Sequence, residues 1–342
     1  MKKGRFIIGI LLSVVLLYFF FRNMDLREIW QRIHAGSGWW IWAAILLCLF
    51  NFFVRSLRWR YFLKPIKWVG IWNAFYTTVI GFSVSAVFPA RIGEIVRPYL
   101  LGSKEKISRS AALATIVVER LVDTLTVLLM LVCYLLFLID PERLSPEARS
   151  SVHELKETGL ILFAGVALII IFLYFLKRRP GVKQFLRKAE RLLPSKIASS
   201  LDHFLDSFIE GLSILDSPIL ILKIAIWSAF LWFVIALSFW ATARAYLTEF
   251  PLPNVFLIMI VLAIGIAVPT PGGVGSYHLA CKIGLTRFFG VPDSQATAIA
   301  VVSHFINFVP VLILGIFFLW HEGLTAGKIT HIAEEASAES AS

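Results

Sequence analysis

Charge is what this chain has least of. Only 16% of its 342 residues are Asp, Glu, Lys or Arg, well below the roughly 25% of soluble domains. No polar stretch is long enough to hold a soluble domain. Cysteine is scarce too. Cys48, Cys133 and Cys281 lie in apolar stretches without ligand spacing, which argues for structural thiols and against a disulfide framework or a metal centre. G-x-S-x-G, H-E-x-x-H and a GK[ST] phosphate loop are all missing, which removes the common hydrolase, metalloprotease and nucleotide-binding signatures. No catalytic residue, metal or cofactor is expected. Acidic residues number 22 against 33 basic ones, for a net charge of +11. In a chain that is 58% hydrophobic, that excess points to basic loops facing anionic lipid, not to nucleic acid.

What is present is apolar sequence in membrane-sized lengths. Phe6–Phe21 follows MKKGR without a small-x-small cleavage site, so it reads as an uncleaved first span. Trp39, Trp40 and Trp42 open a second, which ends near Phe53 in VRSLRWRYFLKP. Arg55, Arg58, Arg60, Lys64 and Lys67 there mark a cytoplasmic boundary. Ala111–Ile139, Thr158–Leu176, Pro218–Tyr246 and Ala296–Trp320 give four more spans. Two apolar pieces are short and broken. Ile71–Val87 runs into Pro89, and Val255–Val268 runs into PTPGGVGSYH. A full crossing by the first would put Arg91, Arg97, Lys104, Lys106 and Arg109 outside, so a re-entrant hairpin is expected instead.

The expected architecture is therefore an all-α polytopic membrane protein. It has six full transmembrane helices and two re-entrant hairpins, eight hydrophobic segments in all. Residues 1–320 form one integral domain with halves 1–140 and 157–320, and 321–342 are a short polar, disordered tail. Each half repeats two spans, an interrupted hairpin and a long span, so the second sits inverted on the first. Asp140–Glu157 is net acidic and expected outside. Leu201, Phe204, Leu205, Phe208, Ile209 and Leu212 recur at helical spacing, which fits either a surface amphipathic helix or a helix packed between loops. Both termini are expected in the cytoplasm.

Three polar motifs interrupt this apolar plan. In FPARIGEIVRPYLL, Arg91, Glu94 and Arg97 fall at threes after Pro89. Arg91 and Arg97 can hold a lipid phosphate, and Glu94 can orient one of them or bind an amine; Arg97 also fits juxtamembrane snorkelling. In VVERLVD, Glu119 lies roughly 12 Å along the helix from Ala111, near mid-membrane, with Asp123 one turn on and Arg120 between. Charges at that depth need partners. They line a headgroup pathway, couple protons, or lock the hairpin to the span, with Arg91 the first expected partner of Glu119 and Arg120 the second. In PTPGGVGSYH, Pro271, Gly272, Gly273 and Gly275 allow a tight turn with open backbone N–H groups. That turn is either a phosphate cradle or simply a hairpin tip. His278 and His304 lie in matched elements of the second half and are candidates for a pair lining the same polar cavity.

FPARIGEIVRPYLL, ATIVVERLVDTLTVLL and VPTPGGVGSYHLA resemble the lysylphosphatidylglycerol synthase transmembrane-region family, from about Phe6 to Trp320. The resemblance implies a protein of the bacterial or archaeal cell membrane that handles phospholipid or polyprenyl-phosphate-type lipid, as a flippase does. The positions that match are Arg91, Gly93, Glu94, Arg97, Glu119, Arg120, Asp123, Pro271, Gly272, Gly273 and Gly275. His278 and His304 stand where the family often has Glu and Arg, and no aminoacyl-transferase domain is expected. The expected function is lipid translocation or headgroup handling, with anionic membrane lipid as partner and a lipid-modifying enzyme as a further one. A membrane-embedded enzyme of lipid-linked envelope synthesis and a non-transporting scaffold are the alternatives.

Overall fold

The computed structural model describes residues 3–21, 25–88, 92–139, 144–178 and 216–323. The described residues form an all-α membrane protein. Its helices are α1 (Lys3–Phe21), α2 (Leu26–His34), α3 (Gly38–Leu63), α4 (Ile71–Val87), α5 (Gly93–Glu105) and α6 (Arg109–Cys133). They continue with α7 (Pro146–Arg178), α8 (Pro218–Arg244), α9 (Asn254–Ala267), α10 (Ser276–Ile283) and α11 (Asp293–His321). π-helical turns extend α6 through Tyr134–Leu138 and α10 through Gly284–Phe288. The expected amphipathic stretch around residues 201–212, Arg91 and most of the polar tail lie outside the described residues.

Local sequence sets the helix starts. Asp25 accepts the N–H of Arg27 at 2.8 Å and opens α2. Ser108 accepts the N–H of Ala111 at 3.2 Å and opens α6, while Ser217 followed by Pro218 opens α8. Among the described residues, α3, α6 with its π turn, α8 and α11 are long and apolar enough to cross a membrane. The fourth expected span lies within α7. That helix already begins at Pro146, so much of the acidic stretch expected as an outer loop is helical. Exposed tryptophans gather at the two ends, Trp39 and Trp42 at one and Trp68, Trp72 and Trp320 at the other, as in the aromatic belts of membrane proteins.

Both interrupted segments are antiparallel helical hairpins. In the first, Ser85 and Gly81 of α4 lie against Gly93 of α5, while Asn73 donates to Glu105 at 2.5 Å at the foot. In the second, Gly265 of α9 lies against Ser276 and Ala280 of α10, with Gly284 against Ile258 and Val261. They enter from opposite ends of the bundle. Lys104, at the foot of the first, pairs with Glu322 just past α11 at 2.8 Å. Asn254, at the foot of the second, accepts from Tyr134 at the far end of α6 at 3.2 Å. Their tips meet in the interior, where Gly272 lies against the carbonyl oxygen of Ala86. The opposed entry of the two hairpins is what an inverted plan requires.

The arginines after Phe53 predict the end of the second span there, but α3 runs unbroken to Leu63. Arg55 and Arg58 are carried inside the bundle, where they are 6% and 0% exposed.

The first hairpin depends on a close backbone approach. A Cβ on Gly93 would fall 1.7 Å from the Gly81 carbonyl oxygen, whereas one on Gly165 in α7 would meet nothing within 4 Å. Overpacking of this kind costs about 1–3 kcal/mol or more. Gly93→Ala is therefore expected to lower the melting temperature in detergent while Gly165→Ala does not. Equal melting of both variants would contradict the tight α4–α5 contact.

Candidate functional site

The polar centre of the molecule is built on α6. Glu119 and Asp123 share one face, a turn apart, and are 0% and 4% exposed. Arginines reach them from several helices. From α3, Arg58 donates to Glu119 at 3.0 Å, to Ser228 of α8 at 3.1 Å, and to Asp123. From α5, Arg97 pairs with Glu119 at 3.2 Å. On α6 itself, Arg120 pairs with Glu119 at 2.7 Å and with Asp123 at 3.0 Å, and approaches Glu94 of α5 at 3.7 Å. Arg55 is looser, 3.8 Å from Glu119 and 3.7 Å from Asp123. Trp232 of α8 donates its indole N–H to Asp123 at 2.9 Å.

Aromatic faces hold three of these cations, with Arg58 5.7 Å from the Phe62 centroid. The Arg97 guanidinium lies 3.7 Å from the Trp59 ring centroid, and Trp59 is itself anchored to Thr115 at 3.0 Å. The Arg55 guanidinium lies 4.7 Å from the Phe82 centroid. Four arginines thus surround Glu119 and Asp123, with Glu94 at the rim as a third carboxylate. Positive charge is in excess.

Beside this network is a cavity of about 440 Å³ where the hairpins cross. Arg55, Arg97, Arg120 and Glu94 line it. Trp232, Ile235 and Phe239 of α8 and Met259, Leu262 and Ile266 of α9 supply much of its apolar lining. Gly93 also lines it, and so do Gly272 and Gly273 of the second hairpin tip. Gly272 has a positive φ of 58°, so the turn depends on a residue without a Cβ.

Of the residues singled out from the sequence, Gly93, Glu94, Arg97, Arg120, Gly272 and Gly273 reach the cavity. Glu119 and Asp123 stand behind them as counter-ions. Pro271 and Gly275 shape the tip without lining the cavity.

His278 and His304 do form a pair, with ring centroids 4.4 Å apart, but they do not line the cavity. His304 donates from Nε2 to the Gly272 carbonyl at 2.9 Å, and His278 accepts the Gly275 N–H through Nδ1 at 3.4 Å. Phe20 and Phe308 pack against their rings. One nitrogen of each ring thus holds the tip's backbone.

Sequence reasoning missed Arg55 and Arg58. Their positions three apart on a helix, followed by Trp59, were a usable signal, since that spacing presents both on the side of α3 facing α6.

The family model of the lysylphosphatidylglycerol synthase TM region matches residues 6–315 of this sequence. A UPF0104 membrane protein of Methanothermobacter thermautotrophicus is 22% identical over 309 residues, covering 84% of this chain and 87% of that protein. Another UPF0104 membrane protein, from Methanocaldococcus jannaschii, is 24% identical over 305 residues, covering 83% and 84% respectively.

The network makes a stability prediction. Removing one partner of a buried ion pair strands the other and costs about 3–5 kcal/mol. Glu119→Ala is expected to destabilise by that order, and Arg97→Met in the same background to recover part of the loss. Additive losses in a double-mutant cycle of unfolding free energies would show that Arg97 and Glu119 do not pair.

Proposed function

Because this chain belongs to the lysylphosphatidylglycerol synthase transmembrane-region family, we propose that it is a lipid translocase of the cell membrane that handles phospholipid or polyprenyl-phosphate-type headgroups. The observation that carries this reading is the mixed lining of the cavity at the crossing of the hairpins. It joins the guanidiniums of Arg55, Arg97 and Arg120 to a large apolar surface that includes α8 and α9. A lipid with an anionic head and an apolar tail satisfies both kinds of lining at once, whereas a soluble anion leaves the apolar surface unmatched. A volume of about 440 Å³ suits a headgroup and the first part of a tail, not a whole lipid. The rest of the tail then extends into the bilayer.

Paired, interrupted helices from opposite ends are how inverted-repeat transporters place a site near the membrane midplane. In this reading the end bearing Lys64, Lys67, Lys104, Lys106 and Arg109 faces the cytoplasm, following the positive-inside rule. Headgroup exchange between leaflets requires the two tips to part and rejoin. The Gly272–Ala86 contact is where that motion occurs.

The test is a scrambling assay on purified protein in vesicles, with a headgroup-labelled anionic phospholipid and a membrane-impermeant quencher. Protein-dependent equilibration of the two leaflets is expected, with the lipid's mass unchanged. A Cβ on Gly272 would lie 2.6 Å from the Ala86 carbonyl oxygen, on a backbone with positive φ. Gly272→Val is therefore expected to slow exchange strongly. A change of lipid mass would favour the membrane-enzyme alternative. The absence of exchange with phospholipid and polyprenyl-phosphate lipids alike would overturn the translocase reading.

A further inference from the structure

The arginines of the central network are not equivalent. Arg58 is fully buried, and both its Nη atoms are committed. It donates to Asp123, Glu119 and Ser228, and it is not part of the cavity lining. Arg120 is held by Glu119 and Asp123 on its own helix. Arg55 and Arg97 differ from both. Their side chains are only 7% and 3% exposed, yet Nε and Nη1 of Arg55 and Nε and Nη2 of Arg97 have no hydrogen-bond partner among the described residues, whereas Arg58 and Arg120 each leave only Nε buried without one. Both residues line the cavity. A buried, unpaired guanidinium N–H is expensive, and native interiors rarely leave several together.

Both side chains converge on Glu119. Arg55 Nη1 approaches Oε1 of Glu119 and Arg97 Nη1 approaches Oε2, so the two guanidiniums flank a single carboxylate. Each lies over an aromatic ring, Phe82 for Arg55 and Trp59 for Arg97. A guanidinium seated over a ring can still donate along its edge, because its N–H groups lie in its own plane. The carboxylate that could quench them is shared with Arg58 and Arg120.

We propose that Arg55 and Arg97 form a two-sided clamp for one phosphate-type oxyanion, and that Arg58 and Arg120 are the structural counter-ions that leave this clamp open. Phosphate fits because its tetrahedral oxygens accept from planar forks on two sides. Arg55 on α3 supplies one jaw and Arg97 on the first hairpin the other. Movement of that hairpin therefore opens or closes the clamp. The proposal rests on the lipid-handling reading only for what carries the phosphate. A lipid headgroup and free inorganic phosphate present the same chemistry.

The test uses full-length protein in detergent, with binding titrated through the shift in melting temperature. The probes are inorganic phosphate, dihexanoyl phosphatidic acid and, as the phosphate-free control, dihexanoylglycerol. Wild-type protein is expected to be stabilised by the phosphatidic acid and not by dihexanoylglycerol. Stabilisation by inorganic phosphate as well identifies a clamp that also takes the free ion; its absence identifies a lipid-borne one. Arg55→Gln and Arg97→Gln are each expected to weaken that binding by about thirtyfold or more. Arg55→Gln is expected to melt no lower than wild type without ligand, since it removes excess charge, whereas Arg58→Gln melts lower. If a neutral variant does not fold, Arg55→Lys and Arg97→Lys keep the charge but lose the fork, and weakened binding is expected of them too.

Undiminished phosphatidic acid binding in the Arg55 and Arg97 variants, or equal stabilisation by dihexanoylglycerol, would overturn the clamp. Those results would leave leaflet exchange in vesicles intact as evidence for translocation. Conversely, a working clamp without leaflet exchange would overturn the translocase reading alone.

Discussion

The buried arginine–carboxylate network is the constraint around which this fold is arranged. Glu119 and Asp123 cannot sit mid-membrane as bare charges. Their partners come from α3, α5 and α6, with further hydrogen bonds from Ser228 and Trp232 of α8. The network therefore cross-links the first hairpin to helices from both halves of the chain. Packing of apolar side chains against one another gives little preference in lipid, where the tails are equally apolar. A set of polar contacts satisfied in only one arrangement supplies the specificity that apolar helices lack. The surplus of positive charge suggests that packing is not its sole purpose.

The second constraint is close backbone approach at the hairpin tips. Gly93 lets α5 lie directly on α4, and Gly272 lets the second tip reach Ala86. The histidine pair supports this second tip from behind, through the carbonyl of Gly272 and the N–H of Gly275. α11 contacts both hairpins, since His304 holds the second tip while Ser83 of α4 donates to the Val311 carbonyl at 2.6 Å. Pro310, inside α11, lies between those two attachment points. The cavity thus draws on both halves, with charged groups from α3, the first hairpin and α6 and much of its apolar surface from α8 and α9.

Much of this was legible from residue order. Apolar lengths marked the spans, and Pro89, Pro269 and Pro271 marked the breaks. Glu119 and Asp123 stood out because carboxylates four apart in an apolar run have no innocent exposed face. Arg55 and Arg58 were misread because the positive-inside rule counts charges along the chain without seeing depth. α3 continues past Phe53, and the same arginines that mark a boundary in one dimension are interior in three. The rings of His278 and His304 lie together but outside the cavity lining, because sequence gives adjacency of elements and not the direction of a ring nitrogen. Their partners turned out to be backbone groups of the turn, which carry no letter in the sequence.

The most direct measurement is an electron cryomicroscopy map of the protein in nanodiscs containing anionic phospholipid. Elongated lipid density is expected in the cavity, with its head within hydrogen-bonding distance of Arg55 and Arg97 and its tail along Trp232, Met259 and Leu262. Lipid confined to the outer surface, with the hairpin tips packed shut and the two guanidiniums bonded only to protein, would contradict it.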